Sequence, residues 1–259
     1  MTSPSASAAA AAFDDADVAA CYRHRPPYAD ALYERLLALA PGRRRALDLG
    51  CGPGKIAGRL AAHFGEVVAV DPSGPMLAEG RAAHPQGNIR WLHAPAESAD
   101  LTGAFDLVTA GTAIHWMDPA KLLPRLADLT GVVAIVTGDA AFAAPWLDAW
   151  HDFNVRWVTR LGGVWGDAAH QAASSRHELW IDIAGAETFV FSHSQSLVSF
   201  VACQHSRATY ARTAMGPALA AAFDDEAATL LAPWVADGRL TYGVRSELAW
   251  GAPRRTART

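Results

Sequence analysis

Between about residues 28 and 138 the apolar positions change period repeatedly, and each change marks an element. In "YADALYERLLALA" Leu32, Leu36 and Leu39 recur at helical spacing until Pro41 and Gly42 end the run. "RALDLG" reads as a short strand buried on both faces, followed by a glycine-rich turn and a helix over "IAGRLAAHF". "EVVAVD" is a second such strand, and "GPMLAEGRAAH" a helix with Pro75 in its first turn. "IRWLHA", "AFDLVTAG" and "GVVAIVTG" supply strands three to five, with the helix "PAKLLPRLADL" between the last two and Pro124 placed to kink it. Five buried strands separated by helices predict an α/β chain built on a doubly wound, mostly parallel sheet.

After residue 139 the rhythm changes. Residues 140–184 read as helical and rich in tryptophan, and "ETFVFSHSQ" returns to strand. "SLVSFVACQHSRATYART" and "ALAAAFDDEAATLLAPWVA" read as helices. "GRLTYGVRSELAWG" closes with strand character, which predicts an antiparallel last strand in a β-hairpin that completes the sheet. The expected organisation is a disordered lead-in over 1–12, a core over 13–139 and a helical lid over 140–184. A C-terminal part over 185–252 completes the sheet and adds lid helices, and 253–259 is a tail.

Composition narrows the class. With 259 residues, 51% of them hydrophobic and 19% charged, there is material for one core and a smaller appended part. A net charge of −4 argues against a nucleic-acid partner, and "PRRTART" reads as a short solvated tail. Cys21, Cys51 and Cys203 are odd in number and lack CxxC spacing, which fits a reducing cytoplasm without a disulfide framework. The first dozen residues lack the basic and strongly apolar regions of a signal peptide. No apolar run reaches about 18 residues, so no membrane partner is expected.

The stretch "ALDLGCGPGKIAG", residues 46–58, places Gly50, Gly52 and Gly54 directly after the first strand. Glycines there let a ligand approach the backbone, and the N–H groups after Gly50 favour an anionic or carbonyl-bearing group. Two phosphate motifs fail on spacing. G-x-x-x-x-G-K-[ST] needs glycine where Leu49 stands and a hydroxyl residue where Ile56 stands. G-x-G-x-x-G fails because the third glycine, Gly54, comes one residue early. The spacing that fits is [DE]-x-G-x-G-x-G, with Asp48 in the acidic position. Asp71 ends the second strand 21 residues beyond Gly50, where an acid can accept from both hydroxyls of a ribose. The competing reading is a tight turn with Asp71 as a helix cap.

Four segments carry a family resemblance: "DLGCGPGK", "VVAVDPSGPMLAEGR", "HAPAESAD" after the third strand, and "FDLVTAGTAIHWMDP" with its His-Trp pair. Together with "YRHRPPYADALYERL" they make the chain, from about Phe13 onward, resemble the class I S-adenosylmethionine-dependent methyltransferases. Within that class it is similar to the small-molecule branch called type 11, which includes trans-aconitate methyltransferases. The resemblance implies a Rossmann-like sheet whose last strand is antiparallel, a helical lid, and S-adenosylmethionine as cofactor. It implies cofactor contacts from Asp48, Gly50, Cys51, Gly52, Asp71 and Pro72, with Met76, Ala96 and Glu97 bordering the adenine. Tyr22, Arg25 and Tyr28 carry over as caps, and Thr112 and Trp116 as further pocket residues. Arg25 as a surface residue and Glu97 as a helix-start acid stay open. The turn "LTGA" is short and lacks the acidic loop of many relatives. Cys51 reads as a small filler.

Methyl transfer from a sulfonium is an in-line displacement in which orientation supplies much of the barrier reduction. His115, just past the fourth strand, is the candidate general base, with packing against the cofactor as its alternative. Trp146, Trp150, Phe153 and Trp157 share a helical face, either as core or as an acceptor pocket to which Trp165 and Trp180 add. In "QHSRATY" His205, Arg207 and Tyr210 form a polar cluster on an expected helix, and Arg207 could bind a carboxylate. Tyr28, His115, Trp146, Trp150, Trp165, His205, Arg207 and Tyr210 are thus the candidate acceptor residues. The histidines show no metal-ligand spacing, so no metal is expected. The expected activity is methylation of an O, N or C atom of a small aromatic or apolar metabolite. The alternatives are carboxyl O-methylation of a small acid and non-catalytic cofactor binding. Monomer and homodimer both stay open.

Overall fold

The apolar runs become strands buried on both faces in the computed structural model of the chain, which describes residues 12–166 and 176–258. These strands are β1 (Arg45–Leu49), β2 (Glu66–Asp71), β3 (Ile89–His93), β4 (Leu107–Gly111) and β5 (Val133–Thr137). They lie parallel in the order β3-β2-β1-β4-β5, and only β3, at the edge, keeps most of its side chains partly open to water. The register sets Asp48 beside Ala69 and Thr109, and Asp71 beside His93. β6 (Ala141–Phe142) and β7 (Ile181–Ser196) follow, and β8 (Arg239–Pro253) runs antiparallel to β5. The expected antiparallel last strand is therefore present.

The helices are α1 (Ala16–Cys21), α2 (Asp30–Leu39), α3 (Lys55–Leu60), α4 (Gly74–Ala83) and α5 (Pro119–Leu126) in the first half. The second half adds α6 (Leu147–Arg160), α7 (Leu197–Gln204), α8 (Arg212–Met215) and α9 (Pro217–Leu231). Ser73 caps α4 by accepting from the Met76 N–H, and Asp118 caps α5 by accepting from the Ala120 N–H. Among the described residues no helix is long and apolar enough to cross a membrane.

The chain divides into two compact units. One holds the described part of Met1–Pro26, Asp139–Ala168 and Val190–Arg245; the other holds Pro27–Gly138, the described part of Ala169–Phe189, and of Ser246–Thr259. In the second, Leu47, Leu49, Val68 and Val70 of the sheet pack with Leu122, Leu123 and Leu126 on one face of α5. In the first, Phe153 and Trp157 of α6 each meet the ring of Phe223 of α9 at 5.2 Å. That part of the tryptophan stripe is core.

Three expectations are corrected. Residues 140–184 are not helical throughout: α6 is flanked by β6 and by a 3₁₀ turn over Arg176–Trp180, and β7 begins at Ile181. From there "IDIAG" begins to alternate and "TFVF" is β-prone, a signal that the tryptophan pattern upstream masked. Residues 167–175, within the expected lid, and 1–11, within the expected lead-in, lie outside the described residues. The helix expected over 196–213 breaks after Gln204, because the Ser206 hydroxyl donates back to the Cys203 carbonyl and the His205 ring engages the Tyr210 carbonyl. Finally, β7 and β8 pair, but they are joined through α7, α8 and α9 rather than by a hairpin turn.

Candidate functional site

The three glycines after β1 all take positive φ, at +59° for Gly50, +52° for Gly52 and +81° for Gly54. Their surroundings differ. A Cβ on Gly50 would stand 2.5 Å from the Ala113 Cβ, so this glycine admits the loop after β4. A Cβ on Gly52 would meet nothing within 4 Å, so here the backbone presents an open face. A Cβ on Gly54 would strike the Trp91 ring at 2.6 Å. Gly54 is also the N-cap of α3 and has no side chain with which to cap it.

Asp48 does that capping from the strand. One carboxylate oxygen accepts from the Ala57 N–H at 3.0 Å, in the first turn of α3, and the other from the Thr109 hydroxyl at 2.8 Å. Burial raises its pKa to about 7, against the hydrogen bonds from Thr109 and Ala57, and the charge of Asp71 adds to the rise. Asp48 therefore ties β1, β4 and α3 together from inside. Burial also pushes the Cys51 thiol well above its ordinary range, which fits a filler and not a nucleophile.

Asp71 sits at the end of β2, nearly buried, and bridges two loops. One oxygen accepts from the Gly52 N–H and the other from the Ser73 N–H, both at 2.8 Å. The turn amides are engaged within the protein: Cys51 donates to the Val70 carbonyl, Gly52 to Asp71 and Gly54 to the Cys51 carbonyl, while Pro53 has no N–H. The expectation that N–H groups after Gly50 favour an anionic group therefore falls to the start of α3 and not to these residues. A cation stands close by: Lys55 opens α3 with its ammonium 5.3 Å from the centre of the Tyr28 ring.

Around this turn, Met76 is buried in the first turn of α4, and the Pro72 carbonyl engages the His93 ring at 2.8 Å. Ala96 is buried in the sheet core, and Glu97 accepts from the Asp118 N–H at 2.7 Å, holding the start of α5. Thr112 follows β4 with φ +52°, a conformation few threonines adopt, and its hydroxyl meets the buried Tyr28 hydroxyl at 3.2 Å. His115 and Trp116 follow in a 3₁₀ turn, half-buried, with their rings 4.7 Å apart.

The remaining candidates belong to the other unit. Arg25 donates from Nε to the Ser206 hydroxyl, from one terminal nitrogen to Asp139 at 3.2 Å and from the other to the Ser206 carbonyl. Its guanidinium also covers the Tyr22 ring at 4.1 Å. His205 is fully buried, with one ring nitrogen at 2.7 Å from the Tyr210 carbonyl and the other at 2.6 Å from Asp224. Tyr210 donates to Asn154. Half-buried Arg207 exerts its charge on both Tyr210 and Tyr242. Trp146 and Trp150 meet in an aromatic cluster with Phe200 and Tyr242, whereas Trp165 is exposed against His151. Among the described residues no group of His, Cys, Asp and Glu could hold a metal ion.

Sequence reading missed Ser73, Thr109 and Asp139. Ser73 was legible as a cap before Pro75; Thr109 and Asp139 act through strand register and a long-range ion pair that leave no local signal.

An open glycine face beside an acid ending the next strand fits the ribose end of S-adenosylmethionine. Comparison with known proteins agrees. Residues 46–134 match the methyltransferase domain family. An uncharacterized methyltransferase of Mycobacterium tuberculosis is 36% identical over 152 residues, covering 54% of this chain and 73% of that protein. Trans-aconitate 2-methyltransferase of Methylobacterium radiotolerans is 37% identical over 157 residues, covering 52% of this chain and 58% of that one. A solved structure from Anaeromyxobacter dehalogenans, described as a type II methyltransferase, superposes with a TM-score of 0.67 at 26% identity, over 90% of this chain and 99% of that one. The chain belongs to the class I S-adenosylmethionine-dependent methyltransferases, with S-adenosylmethionine as its cofactor.

Proposed function

We propose that this methyltransferase acts on an O, N or C atom of a small aromatic or apolar metabolite, with the glycine turn and Asp71 holding the methyl donor. The observation that carries the donor site is the open Gly52 face beside Asp71. When bound, S-adenosylmethionine supplies an electrophilic methyl group on a sulfonium centre. Asp71, placed at the end of β2 beside the Gly52 face, accepts the two ribose hydroxyls. Lys55, which opens α3, adds a positive charge on the methionine side of the turn. Met76, Ala96 and Glu97 border the adenine, and Trp116 walls the pocket. His115 takes the proton of an acceptor that does not lose it unaided.

The aromatic acceptor is supported by Trp146. Among the described residues its indole N–H has no hydrogen-bond partner, buried amid the rings of Trp150, Phe200 and Tyr242. Such an orphaned donor costs about 1–3 kcal/mol, which a lone pair on the acceptor molecule would relieve. The half-buried charge of Arg207 favours a second reading, carboxyl methylation of a small organic acid, in line with the trans-aconitate relative.

Methyl-labelled cofactor offered with phenols, aromatic amines and small carboxylic acids, followed by mass spectrometry, tests both. Label on a ring, hydroxyl or amine supports the first reading, label confined to carboxylates supports the second, and no label on any removes both. Trp146→Phe should raise the acceptor KM in the first case. His115→Ala should lower kcat by about 10²-fold or more and flatten the acid limb of its pH profile; an unchanged profile removes His115 as base.

A further inference from the structure

Gly54, Gly58 of α3 and Gly80 of α4 line one slot, and two aromatic side chains fill it. A Cβ on Gly58 would lie 2.3 Å from the ring of His84, the residue that ends α4. A Cβ on Gly54 would lie 2.6 Å from the outer edge of Trp91, on β3, and 3.1 Å from His84. A Cβ on Gly80 would lie 2.7 Å from Trp91 and 3.3 Å from the carbonyl carbon of Pro53. The two rings stack with centroids 6.5 Å apart and planes 20° apart. Burial holds the His84 imidazole below the ordinary range, so the ring is neutral near pH 7.

We propose that His84 and Trp91 are positioning residues for the cofactor: by filling this slot they fix Gly54, and so hold the turn in the shape that leaves the Gly52 face open. The need is physical. Each glycine loses more conformational freedom on ordering than any other residue, and three of them here take positive φ. The turn's own hydrogen bonds secure Cys51, Gly52 and Gly54, whereas Pro53 has no N–H to donate. His84 packs against Gly54 and Gly58 while Trp91 blocks the space into which Gly54 would otherwise relax. If the open shape is populated only in part, the apparent dissociation constant rises by the inverse of that fraction.

This inference rests on the reading that the turn and Asp71 hold S-adenosylmethionine, and the test separates the two. Calorimetric Kd for S-adenosylmethionine, its KM, kcat and the melting temperature are measured for the wild type, His84→Ala, His84→Gln, Gly58→Ala and Asp71→Ala. His84→Ala should raise Kd and KM about fivefold to tenfold by emptying the slot, with kcat within about twofold of wild type. Gly58→Ala should do the same by expelling the ring, although it keeps His84 and adds a better helix former. His84→Gln, which refills part of the slot, should restore part of the affinity. If His84→Ala and Gly58→Ala lower the melting temperature but bind the cofactor as the wild type does, the pair is mere packing and the inference falls. If Asp71→Ala itself leaves the affinity unchanged, the cofactor reading falls with it. If Asp71→Ala weakens binding while the slot variants do not, only the positioning role is lost.

Discussion

Asp48→Asn should stabilise the protein above neutral pH and leave it unchanged in acid. The carboxyl is 1% exposed and its pKa is raised from an ordinary 3.8 to about 7, first by burial and then by Asp71, against the bonds from Thr109 and Ala57. Since the folded value lies above the unfolded one, the folded chain binds this proton more tightly. The contribution to stability is fully present below about pH 4 and is lost as pH rises through about 7. A gap of about three pH units at about 1.4 kcal/mol each gives a loss of about 4 kcal/mol across that window. Asparagine has no charge to desolvate and keeps both bonds: its oxygen accepts from Ala57, and its amide donates to the Thr109 oxygen. The Thr109 hydroxyl is then free to donate fully to the Leu47 carbonyl, which it already approaches at 3.3 Å. Urea unfolding of both proteins at intervals between about pH 4 and pH 9 provides the assay. The two stability curves should coincide at the acid end and diverge to about 4 kcal/mol at the alkaline end. Infrared difference spectra should show a protonated-carboxyl stretch near neutral pH that the variant lacks. Parallel stability curves, or an asparagine variant less stable at every pH, would refute the assignment of a desolvated proton to Asp48.

Three further outcomes follow from the same geometry. Thr109→Val should cost about 1–3 kcal/mol at alkaline pH and less in acid, because the lost donor matters most to the ionised Asp48; a pH-independent cost would contradict this. Gly52→Ala should cost only the left-handed strain of about 1–2 kcal/mol yet weaken S-adenosylmethionine binding at least about tenfold, whereas Gly50→Ala should destabilise more, since its Cβ meets Ala113 at 2.5 Å. Melting temperatures in the opposite order would sink the assignment of the open face. Arg25→Ala, which removes a hydrogen-bonded cation from Asp139, should cost about 1–3 kcal/mol in its unit, with a smaller loss in the double variant with Asp139→Ala, and a strictly additive cycle would argue against the pair.

The sheet was legible because parallel strands covered on both faces leave unbroken apolar runs, and "LDL", "VVAV" and "VVAIV" are such runs. Spacing also exposed the glycine turn and Asp71. It did not expose what each residue does. Asp48 occupies the acidic position of a ligand-binding motif, yet its two oxygens are spent on Ala57 and Thr109, and Thr109 becomes its neighbour only because β4 lies beside β1. Arg25 sits in a recognisable motif, but its partners stand 114 and 181 residues away in the chain. The cluster at His205 looked like a helix face because the helix period continues through it; the side chains themselves end the helix by bonding to nearby carbonyls.

The three glycines show why a motif can be right about place and silent about cause. Each has positive φ, so conformational demand alone would explain all three. Only the space beyond each α-carbon separates them: a neighbouring loop at Gly50, open space at Gly52 and a packed aromatic pair at Gly54. A turn shaped from two sides needs something to keep its third side available. Asp71 serves that end by accepting the Gly52 N–H, which fixes the peptide whose face is open, and the Ser73 N–H, which locks the same carboxylate to the start of α4. The acid proposed to meet the ribose is thus also the acid that shapes the turn, so its geometry is set before any ligand arrives and little ordering remains to be done on binding. Asp48, a few residues upstream, occupies a site where burial and the nearby charge of Asp71 both oppose a second anion, and it is the one that takes up the proton. Two carboxylates at the ends of neighbouring strands can coexist because burial favours the uncharged form of Asp48 while Asp71 is held by the Gly52 and Ser73 N–H groups.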